Sequence, residues 1–294
     1  MSTVLVTGVS GKVGWFLARR TAEGGFTVRA LVRTDEQARY AGQQGWRAVR
    51  GDLTDFESLS RALEGVDFVV HSAAQLGDSG SLFQSVNVDG TRELAERALQ
   101  AGVRRFVHIS TVAVYGDPTP PGVEEESALA ATDPWPYAAT KAMAELELAK
   151  VRSRGLPIAI LRPGMITHWV RSYWGNEMVE HIRSKGWPDF LLPDDVLPWV
   201  HNENLAEMTW LCLTHPSVPN EAFNAVDRNV TIKDFYGPVA MALGKPIAGP
   251  DRAPVNNAVR LGKIGAKLGY RARFTFEETV SRLVELAKHP GNAP

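Results

Sequence analysis

Short apolar runs alternate with helix-like stretches through the first half of the chain, and no other feature restricts the fold so strongly. Runs of strand character occupy 3–7 (TVLVT), 27–32, 46–50, 66–71, 104–110 and 157–162. Helical periodicity fills 12–24, 34–44, 55–64, 81–101 and 136–154. Strands separated by helices are joined by right-handed crossovers, which gives a parallel sheet covered on both faces. The pattern predicts an α/β fold with a doubly wound parallel sheet. Such sheets bind ligands beyond the carboxyl ends of their strands, where the strand order reverses. Gly8–Gly14, Gly51–Asp52, His71–Ala74, Ser110–Thr111 and Arg162–Gly164 all fall at those ends.

After residue 164 the alternation weakens and prolines recur at 188, 193, 198, 216 and 219. Helical runs follow at 175–186, 203–214, 231–243, 256–268 and 275–288. The expected division is a main domain over 1–164 and a smaller, mostly helical part over 165–290. That second part covers the crevice and can return strands to the main sheet. Residues 291–294 form a tail prone to fray.

Composition narrows the partners. With 294 residues, a net charge of −1 and no long basic run, the chain is not built for nucleic acid or an anionic membrane. A single cysteine, Cys212, excludes an intrachain disulfide and a multi-cysteine metal site, and its apolar surroundings predict a buried thiol. No apolar stretch reaches 18 residues, and a first strand starting at Thr3 leaves no room for a signal peptide. The expected location is the cytoplasm, and the expected partner is a small molecule.

Three glycines in TGVSGKVG, Gly8, Gly11 and Gly14, lie between the first strand and the first helix. Glycine at such a turn permits a positive φ or a close backbone approach, and the helix N-terminus beyond it attracts a phosphate. A tight turn with nothing bound satisfies the same spacing. In YAATK, Tyr137 and Lys141 are four apart and share a helix face. An ammonium beside a phenol favours phenolate and equips the tyrosine to exchange a proton near neutral pH. Alone, that spacing equally describes a packed tyrosine beside a solvated lysine. Ser110 and Thr111 in HISTVAVYG bring hydroxyls to a strand end, where they also commonly satisfy backbone groups.

With GDLTD (51–55), NVDGT (87–91) and RPG (162–164) in order, the chain resembles the extended short-chain dehydrogenase/reductase superfamily. Its sugar-nucleotide epimerases and dehydratases, 3β-hydroxysteroid dehydrogenase relatives and dihydroflavonol-reductase-like members are the nearest groups. The resemblance runs from Val4 to Arg162 and continues more faintly through LPWVHNENLAEM (197–208) and 223–245. It implies a Rossmann-type fold and a bound nicotinamide dinucleotide. Gly8, Gly11 and Gly14 would shape the pyrophosphate turn, with the backbone of Ser10, Lys12 and Val13 beside it. Asp52 and Leu53 would flank the adenine, Ala73 and Ala74 would line the adenosine ribose and pyrophosphate path, and Asn87 would brace the strand ends. Thr111 would hydrogen-bond the substrate oxygen, and Tyr137 would act as general acid/base. Lys141 would hold the nicotinamide ribose and tune Tyr137. Pro163 and Gly164 would border the nicotinamide, and Ser110 would lie behind the site. The family commonly pairs through the helices near 81–101 and 136–154, which implies a homodimer.

The second strand ends in Arg33, not in the acidic residue that binds a ribose 2′-OH. A guanidinium suits a 2′-phosphate, so NADP(H) is the preferred cofactor, with NAD(H) kept open by Asp35. Residues 165–201 carry four tryptophans, 169, 174, 187 and 199. Val112, His168, Trp169, Tyr173 and Trp199 are the candidate pocket for a bulky, largely apolar substrate, although core packing explains such residues as readily. The segment DDVLPWVH lacks the arginine that nucleotide-sugar members use. Three readings follow: an NADP(H)-dependent carbonyl reductase or the reverse alcohol dehydrogenase, a sugar-nucleotide epimerase or dehydratase, and a non-catalytic dinucleotide sensor. The Thr111/Tyr137/Lys141 set favours the first.

Overall fold

A computed structural model of the chain describes residues 2–77, 82–217 and 220–290. Seven parallel strands form the main sheet: β1 (Thr3–Thr7), β2 (Thr27–Val32), β3 (Arg47–Arg50), β4 (Phe68–His71), β5 (Arg105–Ile109), β6 (Ile158–Pro163) and β9 (Ala222–Ala225). Their order is β3-β2-β1-β4-β5-β6-β9, which reverses between β1 and β4. That reversal opens the crevice at the carboxyl ends.

Side chains along each strand alternate between two apolar layers, because successive residues of a strand point to opposite faces. Val4, Val6, Val70 and Val107 pack toward α1 (Gly14–Glu23), α2 (Asp35–Gln43) and α7 (Asn202–Thr214). Leu5, Val69 and Phe106 pack toward α3 (Phe56–Leu63), α4 (Thr91–Gln100) and α5 (Pro136–Ser153). His71 and His108 are register partners on β4 and β5, and by this alternation both face the α4/α5 side.

The part beyond residue 164 is less helical than its sequence pattern predicts. β7 (Met165–Thr167), β8 (Val196–His201) and β10 (Arg228–Thr231) form a second sheet in the order β10-β8-β7. α6 (Met178–Lys185), α8 (Ile232–Ala242) and α10 (Phe276–Lys288) pack around it. β9 returns to the edge of the main sheet beside β6. α7 also returns, and its Cys212 lies buried in the main core. Arg105 donates to the carbonyls of Cys212, Leu213 and His215 at 2.9–3.0 Å, which satisfies carbonyls left open at the end of α7.

Two expected helices differ. Of 256–268 only α9 (Lys263–Leu268) is helical. Upstream, the Asn229 amide takes both backbone groups of Val259, at 2.9 and 3.1 Å, which holds that stretch extended. The helix expected over 81–101 begins outside the described residues. It is π-helical over Phe83–Gly90 before becoming α4. Gly90 presses on Leu53 so closely that a Cβ would stand 2.8 Å from the Leu53 Cβ. The tail 291–294 also lies outside the described residues. Among these residues no helix is long and apolar enough to cross a membrane.

Candidate active site

β1 hands over to α1 through the three glycines. Gly8 has φ +76°, and a Cβ there would stand 2.9 Å from the Ala73 nitrogen at the end of β4. A Cβ on Gly14 would lie 2.1 Å from the Gly8 oxygen, and the Gly11 N–H donates to that same oxygen at 2.9 Å. Only glycine permits a turn this tight. α1 then begins with no side-chain cap and no acidic residue in its first turn. Its open N–H groups and dipole fit an anion, and the residues present fit the pyrophosphate of a dinucleotide. Ser10, Gly11 and Lys12 are exposed and Val13 is half-buried, while the Lys12 ammonium is engaged by Glu177 at 2.5 Å.

The neighbouring strand ends supply the rest of the groove. Arg33 is exposed, its backbone N–H is held by Gln37, and Thr34 caps α2. Among the described residues its guanidinium has no ion-pair partner, and Asp35 lies 3.5 Å from Arg50 instead. Asp52 accepts from the Thr54 N–H and hydroxyl, and Leu53 beside it is buried. Ala73 and Ala74 continue from β4, and the Ala73 N–H donates to Thr7. Asn87 accepts from the Gln75 N–H at 2.7 Å and donates to Thr140 at 3.2 Å, which ties the loop after β4 to α5.

α5 starts with Pro136 in its first turn and carries Tyr137, Lys141 and Glu145 on one face, four residues apart. Tyr137 is half-buried. Burial pushes its phenol up to about 12, against a hydrogen bond with the Thr111 hydroxyl that works downward. Thr111 stands at the end of β5 and caps the short 3₁₀ turn Val112–Tyr115. Lys141 is buried; its ammonium donates to the Ile109 carbonyl at 2.8 Å and lies 3.0 Å from His108 Nε2. Burial pushes Lys141 down to about 7, with the Glu145 carboxylate opposing. The expected lowering of the Tyr137 pKa by Lys141 is absent in the chain by itself, because the amine turns down onto β5 and not toward the phenol.

Behind them lies a buried charge network. Ser110 donates to Glu145 at 2.5 Å, and Arg162 grips Glu145 with contacts of 2.6 to 3.2 Å. Arg162 also donates to the Tyr115 hydroxyl at 2.7 Å. Burial disfavours the Arg162 charge, but the Glu145 hydrogen bonds and carboxylate more than reverse this and raise its pKa. His108, Glu145, Tyr115 and Arg162 are absent from the sequence-derived site, although Glu145 continues the Tyr137/Lys141 spacing by one more turn.

The candidate pocket is largely redistributed. His168 packs between Phe16 of α1 and Trp169, with ring centroids 4.6 and 4.2 Å away, and is buried in the core. Trp169 packs on His201 and Phe274. Trp199 is 1% exposed against Phe235 and Phe276. His168 and Trp199 are buried by this packing, while Trp169 is half-buried against the same rings. Val112 is buried beneath the site, and Tyr173 is exposed edge-on to Trp174. Pro163 and Gly164 bend into β7, where a Gly164 Cβ would stand 2.1 Å from the Pro198 oxygen. Asp195 is buried and gripped by Arg252 at 2.9 and 2.6 Å, so an arginine does reach this segment, already neutralised. Trp135, 44% exposed with its ring 5.1 Å from that of Tyr137, is an apolar neighbour of the phenol that the sequence pattern did not single out.

Comparison with known proteins places this geometry. The sterol demethylase protein B of Methylococcus capsulatus is 38% identical over 171 residues, covering 56% of this chain and 51% of that protein. The 4-hydroxy-2-methyl-3-oxo-4-farnesyl-3,4-dihydroquinoline-1-oxide ketoreductase of Stigmatella aurantiaca is 32% identical over 183 residues, covering 61% and 55%. The chain thus spans about half the length of the curated relatives it matches. The crystal structure of a dTDP-glucose 4,6-dehydratase from Streptomyces venezuelae with NAD bound superposes with a TM-score of 0.81, 28% identity and 98% of both chains covered. With the family profile matching residues 4–225, the chain belongs to the NAD dependent epimerase/dehydratase family.

Proposed function

We propose that the chain is an NADP(H)-dependent oxidoreductase that reduces the carbonyl of a bulky, largely apolar small molecule. The observation that carries this reading is the half-buried Tyr137 phenol beside Thr111 at the carboxyl edge of the sheet. Tyr137 is protonated at neutral pH, as a phenol is with or without the upward push of burial, and so has a proton to give. That state suits reduction, where a carbonyl oxygen gains negative charge and needs a proton. The reduced nicotinamide supplies a hydride to the carbonyl carbon. Thr111 hydrogen-bonds the oxygen, Tyr137 gives it a proton, and solvent returns that proton, so one carbonyl, the hydride and one proton become one alcohol and the dinucleotide is left oxidised. Exposed Trp135 beside Tyr137 supports an apolar substrate.

The 32% identity to a ketoreductase supports this chemistry. The whole-length likeness to a dTDP-glucose dehydratase supports a second reading, in which the dinucleotide acts as a transient hydride store on a nucleotide sugar. The Asp195–Arg252 pair weighs against that, since the arginine is already neutralised.

Arg33, without an ion-pair partner among the described residues, supports the choice of NADP(H). NADPH should bind about 10- to 100-fold more tightly than NADH, the equivalent of one charge-assisted hydrogen bond. Arg33→Asp should erase or reverse the preference in a fluorescence titration. Equal affinity of the unmodified chain for both cofactors would overturn the cofactor assignment. Assaying NADPH oxidation over bulky ketones, beside turnover of nucleotide sugars, separates the two reactions.

A further inference from the structure

Beneath the site, β4 and β5 bring two buried histidines together under Lys141. The rings of His71 and His108 lie 5.2 Å apart, and neither residue is exposed. The protonation of His71 follows from its neighbours. The Thr7 hydroxyl oxygen accepts from the N–H groups of Ser72 and Ala73 at 3.2 and 3.1 Å, which uses its two lone pairs. Its proton therefore points to His71 Nδ1 at 2.8 Å. His71 then carries its proton on Nε2 and donates it to Thr91 at 2.9 Å. Both His71 nitrogens are committed, and the ring is held neutral.

His108 differs. Its Nε2 meets the Lys141 amine at 3.0 Å, while its buried Nδ1 has no hydrogen-bond partner among the described residues. The other polar groups around Lys141 are the Ile109 carbonyl on β5, Glu145 and Tyr137 on its own helix, His71 on β4, and Arg162 on β6 through its grip on Glu145. Of these, only the Ile109 carbonyl and His108 Nε2 lie within hydrogen-bond distance of the amine.

We propose that His108 is a positioning residue for the proposed reaction: its Nε2 accepts a hydrogen bond from the Lys141 ammonium, which offsets the cost of an Nδ1–H without an acceptor among the described residues, and so keeps that ammonium charged and held at the end of β5. An ammonium taken out of water needs acceptors for its protons. Ile109 supplies one and His108 the second, which leaves the third proton for a ligand hydroxyl above. The catalytic consequence rests on the dinucleotide reading; the hydrogen bond itself does not.

The test reads Lys141 directly. The ¹³Cε resonance of Lys141, assigned with Lys141→Arg, is titrated in the unmodified chain and in two variants. In His108→Leu the ammonium should titrate about 1–2 pH units lower, the equivalent of one lost hydrogen bond to a charged group. In His108→Gln, whose amide oxygen can replace Nε2, it should return toward the unmodified value. The ¹⁵N shifts of His108 in the unmodified chain should report Nδ1 protonated near neutral pH, which needs no variant to fold. NADPH binding to His108→Leu should lose its upper pH limb earlier than in the unmodified chain, by the same interval. Unchanged Lys141 titration in a folded His108→Leu, or Nε2 protonated in the unmodified chain, would overturn the assignment. Failure of NADPH to bind the unmodified chain would overturn the dinucleotide reading, and the Lys141 titration would still decide His108.

Discussion

At the scale of the residue, the site depends on protons kept in place by burial. Burial keeps Tyr137 protonated until a substrate oxygen draws on it, and burial brings Lys141 down to about 7. Thr111→Val should lower turnover strongly while Thr111→Ser keeps much of it, because only the hydroxyl is needed; equal rates for the two in a steady-state assay would remove Thr111 from the reaction. That Tyr137 and Lys141 share a helix face and that Thr111 stands at a strand end were legible in the sequence, because both are local properties. His108 was not, because its partner lies 33 residues away and the contact exists only once β5 and α5 are packed. The burial of His168 and Trp199 was not legible for the complementary reason. An aromatic side chain reads the same whether it faces a ligand or a neighbouring ring, and here the second sheet needed them as filling.

At the scale of the element, α5 is fixed at its middle by the Glu145–Arg162 pair, whose side chains are almost completely buried. Breaking a buried pair leaves a charge without its partner, which costs about 3–5 kcal/mol. Glu145→Ala should therefore lower the unfolding free energy by about that amount in urea, and a loss below about 1 kcal/mol would contradict this view of the helix anchor. The Gly8–Gly14 turn makes a second test. Gly14→Ala places a methyl group against the Gly8 carbonyl, with no flexible side chain to yield. It should destabilise the chain by about 1–3 kcal/mol and weaken NADPH binding, whereas unchanged affinity would detach this turn from the cofactor. The six strands of the alternating pattern were legible because each is a compact apolar run. β7, β8, β9 and β10 were not. They are three to six residues long, and β8 contains Pro198, so their partners rather than their own periodicity define them.

At the scale of the whole molecule, four buried histidines set how the fold responds to acid. Burial lowers His71 to about 3, His168 to about 4 and His201 to about 2, and holds His108 well below its ordinary value. The unfolded chain binds these protons near 6.5 and the folded chain does not, so stability falls as pH drops below 6.5. Four such groups together cost about 5 kcal/mol for each pH unit below that point, until the folded state begins to bind protons. The urea midpoint should therefore decline steeply between pH 6.5 and 5, and a flat midpoint across that window would contradict the neutral burial of these rings. The histidines fall in two places: His71 and His108 lie under α5, and His168 and His201 lie where the second sheet meets α1. In the proposed reaction Tyr137 gives a proton to a carbonyl reduced by NADPH, and its removal is read in the kcat for NADPH oxidation with a bulky apolar ketone in Tyr137→Phe against the unmodified chain, with NADPH affinity measured alongside. A proton donor at this position means kcat lower by about 10²–10⁴ with NADPH affinity nearly unchanged, and a near-normal kcat in Tyr137→Phe would show that the proton comes from another group.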